Sequence, residues 1–195
     1  WWGVTDRLRG RLLRDRGHRV FVGASRAREG FGRSGLEHIW SSCYVLPMGQ
    51  GHRLRIGRSS ASGQIYLITV CCHGRRPIFD CNSNWFCLTR SLAALSTDAD
   101  TWCYVAMPDH VHWLMQLDGV LDLSSCVQKL KSLTAKQLRQ QGFSAGAIWQ
   151  RGFHDRALRA EEDLQTVARY VIANPLRAGL VDSIRDYPYW DAAWI

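Results

Sequence analysis

The sequence predicts an α+β fold, built as an antiparallel sheet with its helices packed on one face. Segments with the two-residue period of strands alternate with segments of helical period from about residue 60 onward. Their order is β-α-β-β-α-β, and one more helix follows. A link of only two residues joins the second and third strands, which predicts a hairpin. This order resembles the ferredoxin-like split βαβ arrangement.

The first half of the predicted sheet comes from three apolar segments. Residues 64–72 (QIYLITVCC) are β-branched and apolar on both faces, which is typical of a central strand covered on both sides. Apolar residues recur at helical spacing over 84–96, so this segment is predicted to be a helix. Residues 101–107 and 110–117 are predicted to be the two strands of the hairpin, with a Pro-Asp turn between them.

The second half of the domain is predicted to be mostly helical. Residues 123–142 have a helical pattern that ends at Gly142, and a short fourth strand is predicted within 147–158. Residues 160–175 are predicted to form the last helix. Three acidic residues would lie in its first turn, where the helix dipole favours negative charge.

The charge of the chain predicts two regions, 1–47 and 48–195. Residues 1–47 carry +5 of the formal net charge of +8, contain no lysine and show no sustained helical or strand period. Two interpretations fit: translated sequence upstream of a true start at Met48, which we favour, or a flexible basic arm that contacts phosphate backbones. Residues 48–195 are predicted to form a single domain.

Composition excludes several classes of protein. No apolar run reaches the roughly 18 residues that a membrane span needs, so we expect a soluble, cytoplasmic protein. The seven cysteines include no C-x-x-C pair, and several lie in apolar segments. Buried reduced thiols explain this pattern better than a disulfide framework or a zinc ribbon.

Two histidines lie two residues apart on the third predicted strand. Alternate side chains of a strand share a face, so His110 and His112 point the same way as Leu114, and apolar Val111 and Trp113 point to the core. Their positions are about 6.5 to 7 Å apart along the strand, close enough for both to bind one cation. The alternative is a pair of surface or hydrogen-bonded histidines without metal.

The last predicted helix offers further polar groups. Tyr170 and Asn174 fall together on its flank, outside an apolar stripe formed by Leu164, Val167, Ala168, Val171 and Ile172. Each has an ordinary alternative explanation. Tyr170 alone is typical of an amphipathic helix, and Asn174 before Pro175 is typical of a cap for a following helical turn.

Four segments together resemble a known family. "YLITVCCHGRRPIF", "MPDHVHWLM", "WQRGFHDRALRAEEDL" and "ARYVIANPLRAGLV" closely resemble the REP-associated tyrosine transposases, relatives of the single-strand insertion-sequence transposases and members of the HUH endonucleases. The likeness covers about residues 60–190. Residues 1–47 have no recognised counterpart.

The resemblance implies a site and a reaction. It makes His110 and His112 metal ligands, Tyr170 on the late helix the nucleophile, and Asn174 the third ligand. It implies Mg²⁺ or Mn²⁺ as cofactor, and single-stranded or hairpin DNA as partner. It also implies DNA nicking and joining through a 5′-phosphotyrosine intermediate. A monomer is favoured, with a homodimer as the alternative.

Further residues are candidates for supporting roles. The predicted phosphate contacts are Lys129, Lys131, Arg151, Arg156 and Arg177, for each of which a solvated surface charge is the alternative. His154 and Asp155, in the family-like "GFHDR" segment, are either structural or hydrogen-bonded to metal ligands. Two rival functions stay open: a phosphodiesterase that uses water, and a non-catalytic DNA-binding remnant.

Overall fold

The computed structural model describes residues 60–144 and 146–194, and the predicted region 1–47 and start at Met48 lie outside them. Five strands form one antiparallel sheet in the order β4-β1-β3-β2-β5. The strands are β1 Ile65–Cys71, β2 Ala99–Met107, β3 His110–Leu117, β4 His154–Ala157 and β5 Trp190–Ala192.

The topology confirms the predicted ferredoxin-like arrangement. Helix α1, Asn82–Ala93, connects β1 to β2, and these two strands leave a gap in the sheet that β3 fills. Helix α2, Leu123–Gln140, connects β3 to β4 at the other side of β1. Strand β5 was not predicted, because its three residues are too short to show a period.

The prediction that helices cover one face of the sheet is wrong, because both faces are covered. Helices α1 and α2 pack on the face that carries Ile68 and Trp113. Helix α3, Leu164–Ile172, packs on the opposite face with Leu67 and Leu114. The central strands are apolar on both sides, so each side needs a cover to exclude water. Trp113 and its neighbours belong to the core, as predicted.

The last predicted helix begins later than expected and is divided in two. Asp163 caps α3 by accepting a hydrogen bond from the Thr166 amide at 3.0 Å. The three acidic residues therefore precede the first turn, contrary to the prediction. The chain then enters a short helix α4, Asn174–Arg177, which has Pro175 in its first turn. The late helix thus ends at Ile172, two residues before Asn174.

Two compositional predictions can be compared with the described residues. The six cysteines there are free thiols, and four of them are buried. Burial raises the pKa of the Cys72 and Cys103 thiols to about 12, so both stay protonated at neutral pH. No helix among the described residues has the length and hydropathy that crossing a membrane requires.

Candidate metal-ligand and nucleophile site

Strand β3 places both histidines on the face that α3 covers. Cross-strand pairing sets Thr69 of β1 opposite His112, and Cys71 opposite His110, so these four side chains share one face. His112 is only 8% exposed. The predicted common face of the two imidazoles is therefore confirmed, but one of them is buried rather than at the surface.

The two imidazoles converge on one point. Their Nε2 atoms are 3.1 Å apart, and the ring planes are nearly perpendicular, at 89°. Two ligand atoms at right angles around one ion, each about 2.1 Å from it, are about 3 Å apart. The observed separation of the two Nε2 atoms therefore fits two neighbouring coordination positions around a cation with octahedral geometry.

Each imidazole is held by a hydrogen bond at its other nitrogen. His110 Nδ1 lies 2.6 Å from Asp109 Oδ1, and His112 Nδ1 lies 2.9 Å from Thr69 Oγ1. Asp109 also accepts from Arg75 Nε at 2.8 Å. Such outer contacts fix the orientation of metal-binding histidines and leave Nε2 for the metal. The hydrogen bond with His110 is the main reason that the pKa of Asp109 lies below its usual value.

Three of these supporting residues were missed by sequence reasoning. Asp109 was assigned only to the turn, although a carboxylate next to a His-x-His segment is a recognisable signal. Thr69 becomes visible only through the pairing of β1 with β3. Arg75 has no sequence signal beyond its charge.

The environment of His112 keeps its imidazole neutral. Burial lowers its pKa to about 3, and electrostatic interactions with His110, Arg75 and Arg177 act in the same direction. The nearby Asp109 carboxylate partly opposes them. A neutral imidazole is the form that binds metal.

Acid is expected to destabilise the fold through His112. Its folded pKa of about 3 lies below the unfolded value of 6.5, so the unfolded state binds more protons between these values. The contribution of neutral His112 to the free energy of unfolding is fully present above pH 6.5 and is lost as the pH falls toward 3. Between pH 6.5 and 5 the loss is about 2 kcal/mol.

Denaturant unfolding in EDTA at pH 7 and pH 5 measures this loss. His112→Gln, which does not titrate, should show a pH dependence smaller by about that amount. An equal pH dependence in both proteins would contradict the buried, neutral state of His112.

Tyr170 lies on the side of the sheet that carries the histidine pair, and Arg177 contacts its ring. The Arg177 guanidinium carbon lies 3.9 Å from the centroid of the Tyr170 ring, a cation–π contact. The same positive charge lowers the pKa of His112. Helix α3 packs on β2 and β3. The structure thus brings the tyrosine, this arginine and the histidines to one side of the sheet.

Asn174 does not cap the helix that it begins. Ala173 occupies the N-cap position of α4, and no side chain caps that helix. Instead, the Asn174 amide nitrogen donates to the Val171 carbonyl at 2.8 Å. This bond directs the nitrogen toward α3 and leaves the amide oxygen on the other side of the amide carbon. Within the described residues, no group of three His, Cys, Asp or Glu side chains could hold a metal ion.

Three of the predicted phosphate contacts have partners inside the fold. Lys129 pairs with the buried Asp98 at 2.6 Å, and Arg156 pairs with Glu162 at 2.6 Å. Lys131 donates to two backbone carbonyls of the segment before β4. Each bond connects elements of the domain, which gives these side chains a structural use. Their role in binding DNA stays a prediction.

The other two predicted phosphate contacts are placed differently. Arg177 stacks on Tyr170, at the histidine face of the sheet. Arg151 is exposed in the segment before β4. Contact with DNA is a prediction for both, and Arg177 has the more direct relation to the candidate site.

His154 and Asp155 lie on opposite faces of β4. His154 pairs with Thr69, so it shares the face of the histidine pair. Asp155 pairs with Ile68, whose side chain is in the core under α1 and α2. Only His154 is therefore on the correct face to support a ligand, and that role stays a prediction.

Known proteins share sequence with this chain. A protein of Haemophilus influenzae named "Putative REP-associated tyrosine transposase" is 31% identical over 100 residues, which are 46% of this chain and 57% of that protein. The REP-associated tyrosine transposase of Escherichia coli is 29% identical over 89 residues, 44% and 50% of the two chains. The chain thus spans about half the length of the curated relatives that it matches.

A solved structure and a family model cover more of the chain. The structure of a REP-associated tyrosine transposase bound to a REP hairpin matches with a TM-score of 0.58 and 24% identity, over 68% of this chain and 79% of that one. At this identity the match supports the fold. Residues 60–174 match the family model described as Transposase IS200 like. Because this match covers more than half of the chain, including both histidines and Tyr170, the chain belongs to the IS200-like transposase family.

Proposed function

We propose that this chain is a metal-dependent endonuclease and strand transferase that acts on single-stranded DNA, at hairpin or repetitive extragenic sequences. The convergence of two histidine Nε2 atoms at 3.1 Å carries the proposal. Both Nδ1 atoms are already bonded, so the two Nε2 atoms form a preorganised cation site on the sheet face that α3, the helix of Tyr170, covers.

The residues of the site fit a divalent cation with open positions. His110 and His112 would hold it through Nε2, and the amide oxygen of Asn174 would be the third ligand. Two imidazoles and an amide suit Mn²⁺, and Mg²⁺ is the other candidate. A bound ion supplies electrostatic stabilisation of the charge that develops on phosphate oxygens.

Tyr170 would act as the nucleophile. Its Oη forms a bond to phosphorus while the bond from phosphorus to the 3′ oxygen breaks. The phenolic proton passes to solvent, and the 3′ oxygen takes up a proton from solvent. The product is a 5′-phosphotyrosine ester and a free 3′ hydroxyl. The same hydroxyl, or another, can reverse the step, so the strand is rejoined without a nucleotide triphosphate.

The choice of substrate rests on the relatives. The curated relatives are named REP-associated tyrosine transposases, and one solved relative is bound to a REP hairpin. We extend this partner to the present chain because the family model spans its histidines and its late tyrosine, and because its fold matches that of the hairpin-bound relative. We expect a monomer to act, with a homodimer as the alternative.

A covalent adduct tests the proposal. The full-length protein is incubated with end-labelled hairpin oligonucleotides in Mn²⁺, or in EDTA, and the products are separated on a denaturing gel. We expect a metal-dependent band at the mass of protein plus DNA. Cleaved DNA without this band would favour a phosphodiesterase that uses water. Binding that survives loss of both histidines, without cleavage in any metal, would favour a DNA-binding remnant.

A further inference from the structure

Arg75 has a backbone conformation that side chains rarely adopt. Its φ is +56°, in the left-handed region, and it is the only residue other than glycine with positive φ in residues 60–144 and 146–194. It follows Gly74, with φ of +64°, in a tight turn after β1. Glycine would fit this position without strain. Backbone outliers of this kind cluster at functional sites, which makes the Arg75 side chain a candidate for a functional role.

The guanidinium of Arg75 is held firmly, and part of it faces solvent. Nε donates to Asp109 Oδ2 at 2.8 Å, and Nη1 donates to Cys71 Sγ at 3.2 Å. Even so, 47% of the side chain is exposed. The two bonds fix the plane of the guanidinium and leave the Nη2 end for a further partner.

This guanidinium lies beside the histidine pair. Asp109 bonds Arg75 with one oxygen and His110 with the other, so a single carboxylate separates the arginine from the first imidazole. Arg177 approaches the same pair from α4. A DNA strand that reaches the histidines therefore meets the positive charge of Arg75, from the turn after β1, and that of Arg177, from α4.

We propose that Arg75 binds a phosphate of the DNA strand adjacent to the phosphate that Tyr170 attacks, an inference that rests on the proposed function. A guanidinium with a fixed plane recognises nonbridging phosphate oxygens well. The bond to Asp109 orients Arg75 before DNA arrives, so little freedom is lost on binding. The contact would set the position of the strand relative to the histidine pair.

Binding of chemically modified DNA tests the contact. Hairpin oligonucleotides with randomised single-stranded flanks are first selected for affinity to the full-length Tyr170→Phe variant. This selection depends on binding alone and does not require cleavage. Methylphosphonate, which is uncharged, then replaces one flank phosphate at a time. Affinities are compared with and without Arg75→Gln in the same background.

The contact predicts a loss that depends on position. With unmodified DNA, Arg75→Gln should weaken binding about tenfold. It should also reduce the slope of log K against log salt by about 0.7. When methylphosphonate stands at one or two adjacent positions, Arg75→Gln should not weaken binding any further, because the charge that Arg75 would contact is already absent. The proposal would be overturned if proteins with and without Arg75→Gln bound every oligonucleotide equally well. It would also be overturned if Arg75→Gln weakened binding by the same factor at every methylphosphonate position.

Two further variants separate contact from folding. Arg75→Gly removes the guanidinium and suits the left-handed backbone, so it should show the same positional pattern as Arg75→Gln. Arg90→Gln makes the same charge change at an exposed position on α1, on the opposite side of the sheet. It should show no positional pattern. A pattern for Arg90→Gln like that for Arg75→Gln would overturn the assignment.

The two proposals fail in different ways. If the wild-type protein forms no covalent adduct but the Arg75 pattern is found, the proposed chemistry fails, and with it the placement beside an attacked phosphate, while the contact of Arg75 with one DNA phosphate stands. If the adduct forms and the pattern is missing, only the role of Arg75 fails. Selection that recovers no binding DNA would refute both.

Discussion

Tyr170→Phe is expected to abolish the covalent protein–DNA product and to leave DNA affinity nearly unchanged. The variant lacks the Oη that would attack phosphorus, so the rate of adduct formation should fall by at least about 10³-fold. The ring on which the Arg177 guanidinium stacks, 3.9 Å from its centroid, is retained. The local packing and the positive charge at the site should therefore persist.

Two measurements and a matched variant check this result. Adduct formation is followed on a denaturing gel in Mn²⁺, and affinity is followed by fluorescence anisotropy in EDTA. Tyr189→Phe is the control, because Tyr189 is a partly buried tyrosine that contacts the rings of Trp85 and Tyr187. It should form the adduct at the wild-type rate. An adduct that persists in Tyr170→Phe would place the nucleophile at another residue.

The order of elements and the face of the histidines could be predicted from sequence because they depend on local periodicity. Residues 110–117 were predicted as a strand with these bounds, and the structure has the same bounds. Alternation along that strand is sufficient to put His110 and His112 together. The convergence of their Nε2 atoms was beyond prediction, because it depends on rotamers selected by Asp109 and Thr69.

The errors arose where distant parts of the chain decide the outcome. The sequence predicts the apolar stripe of α3 but not the face of the sheet on which α3 packs. Helical periodicity shows that one side of a helix is buried, but it does not show which surface buries it. The pattern of β1, apolar on both sides, in fact implied a second covered face. The start of α3 was misplaced because Asp163 competes successfully as a cap with earlier acidic residues. Arg75 was overlooked because its conformation is set by a turn that only the structure shows.

His110→Ala is expected to weaken Mn²⁺ binding by more than about 100-fold. It removes one of two converging Nε2 donors, a larger change than the 10- to 100-fold loss typical of altering a residue that orients a ligand. Isothermal titration calorimetry of the full-length protein measures the affinity. His73→Ala is a suitable control, since His73 is an exposed histidine in the turn after β1, outside the histidine pair. It should retain at least most of the affinity.

A graded series of variants then decides which groups bind the ion directly. Asp109→Asn leaves both Nε2 atoms in place but weakens the hydrogen bond that orients His110, so the loss should lie in the 10- to 100-fold range. Asn174→Ala should cost more than Asp109→Asn if the amide oxygen is a ligand. Unchanged affinity in Asn174→Ala would instead limit Asn174 to its bond with the Val171 carbonyl. The histidines would then need a third ligand from water or from the DNA phosphate, and metal affinity should rise when DNA is bound.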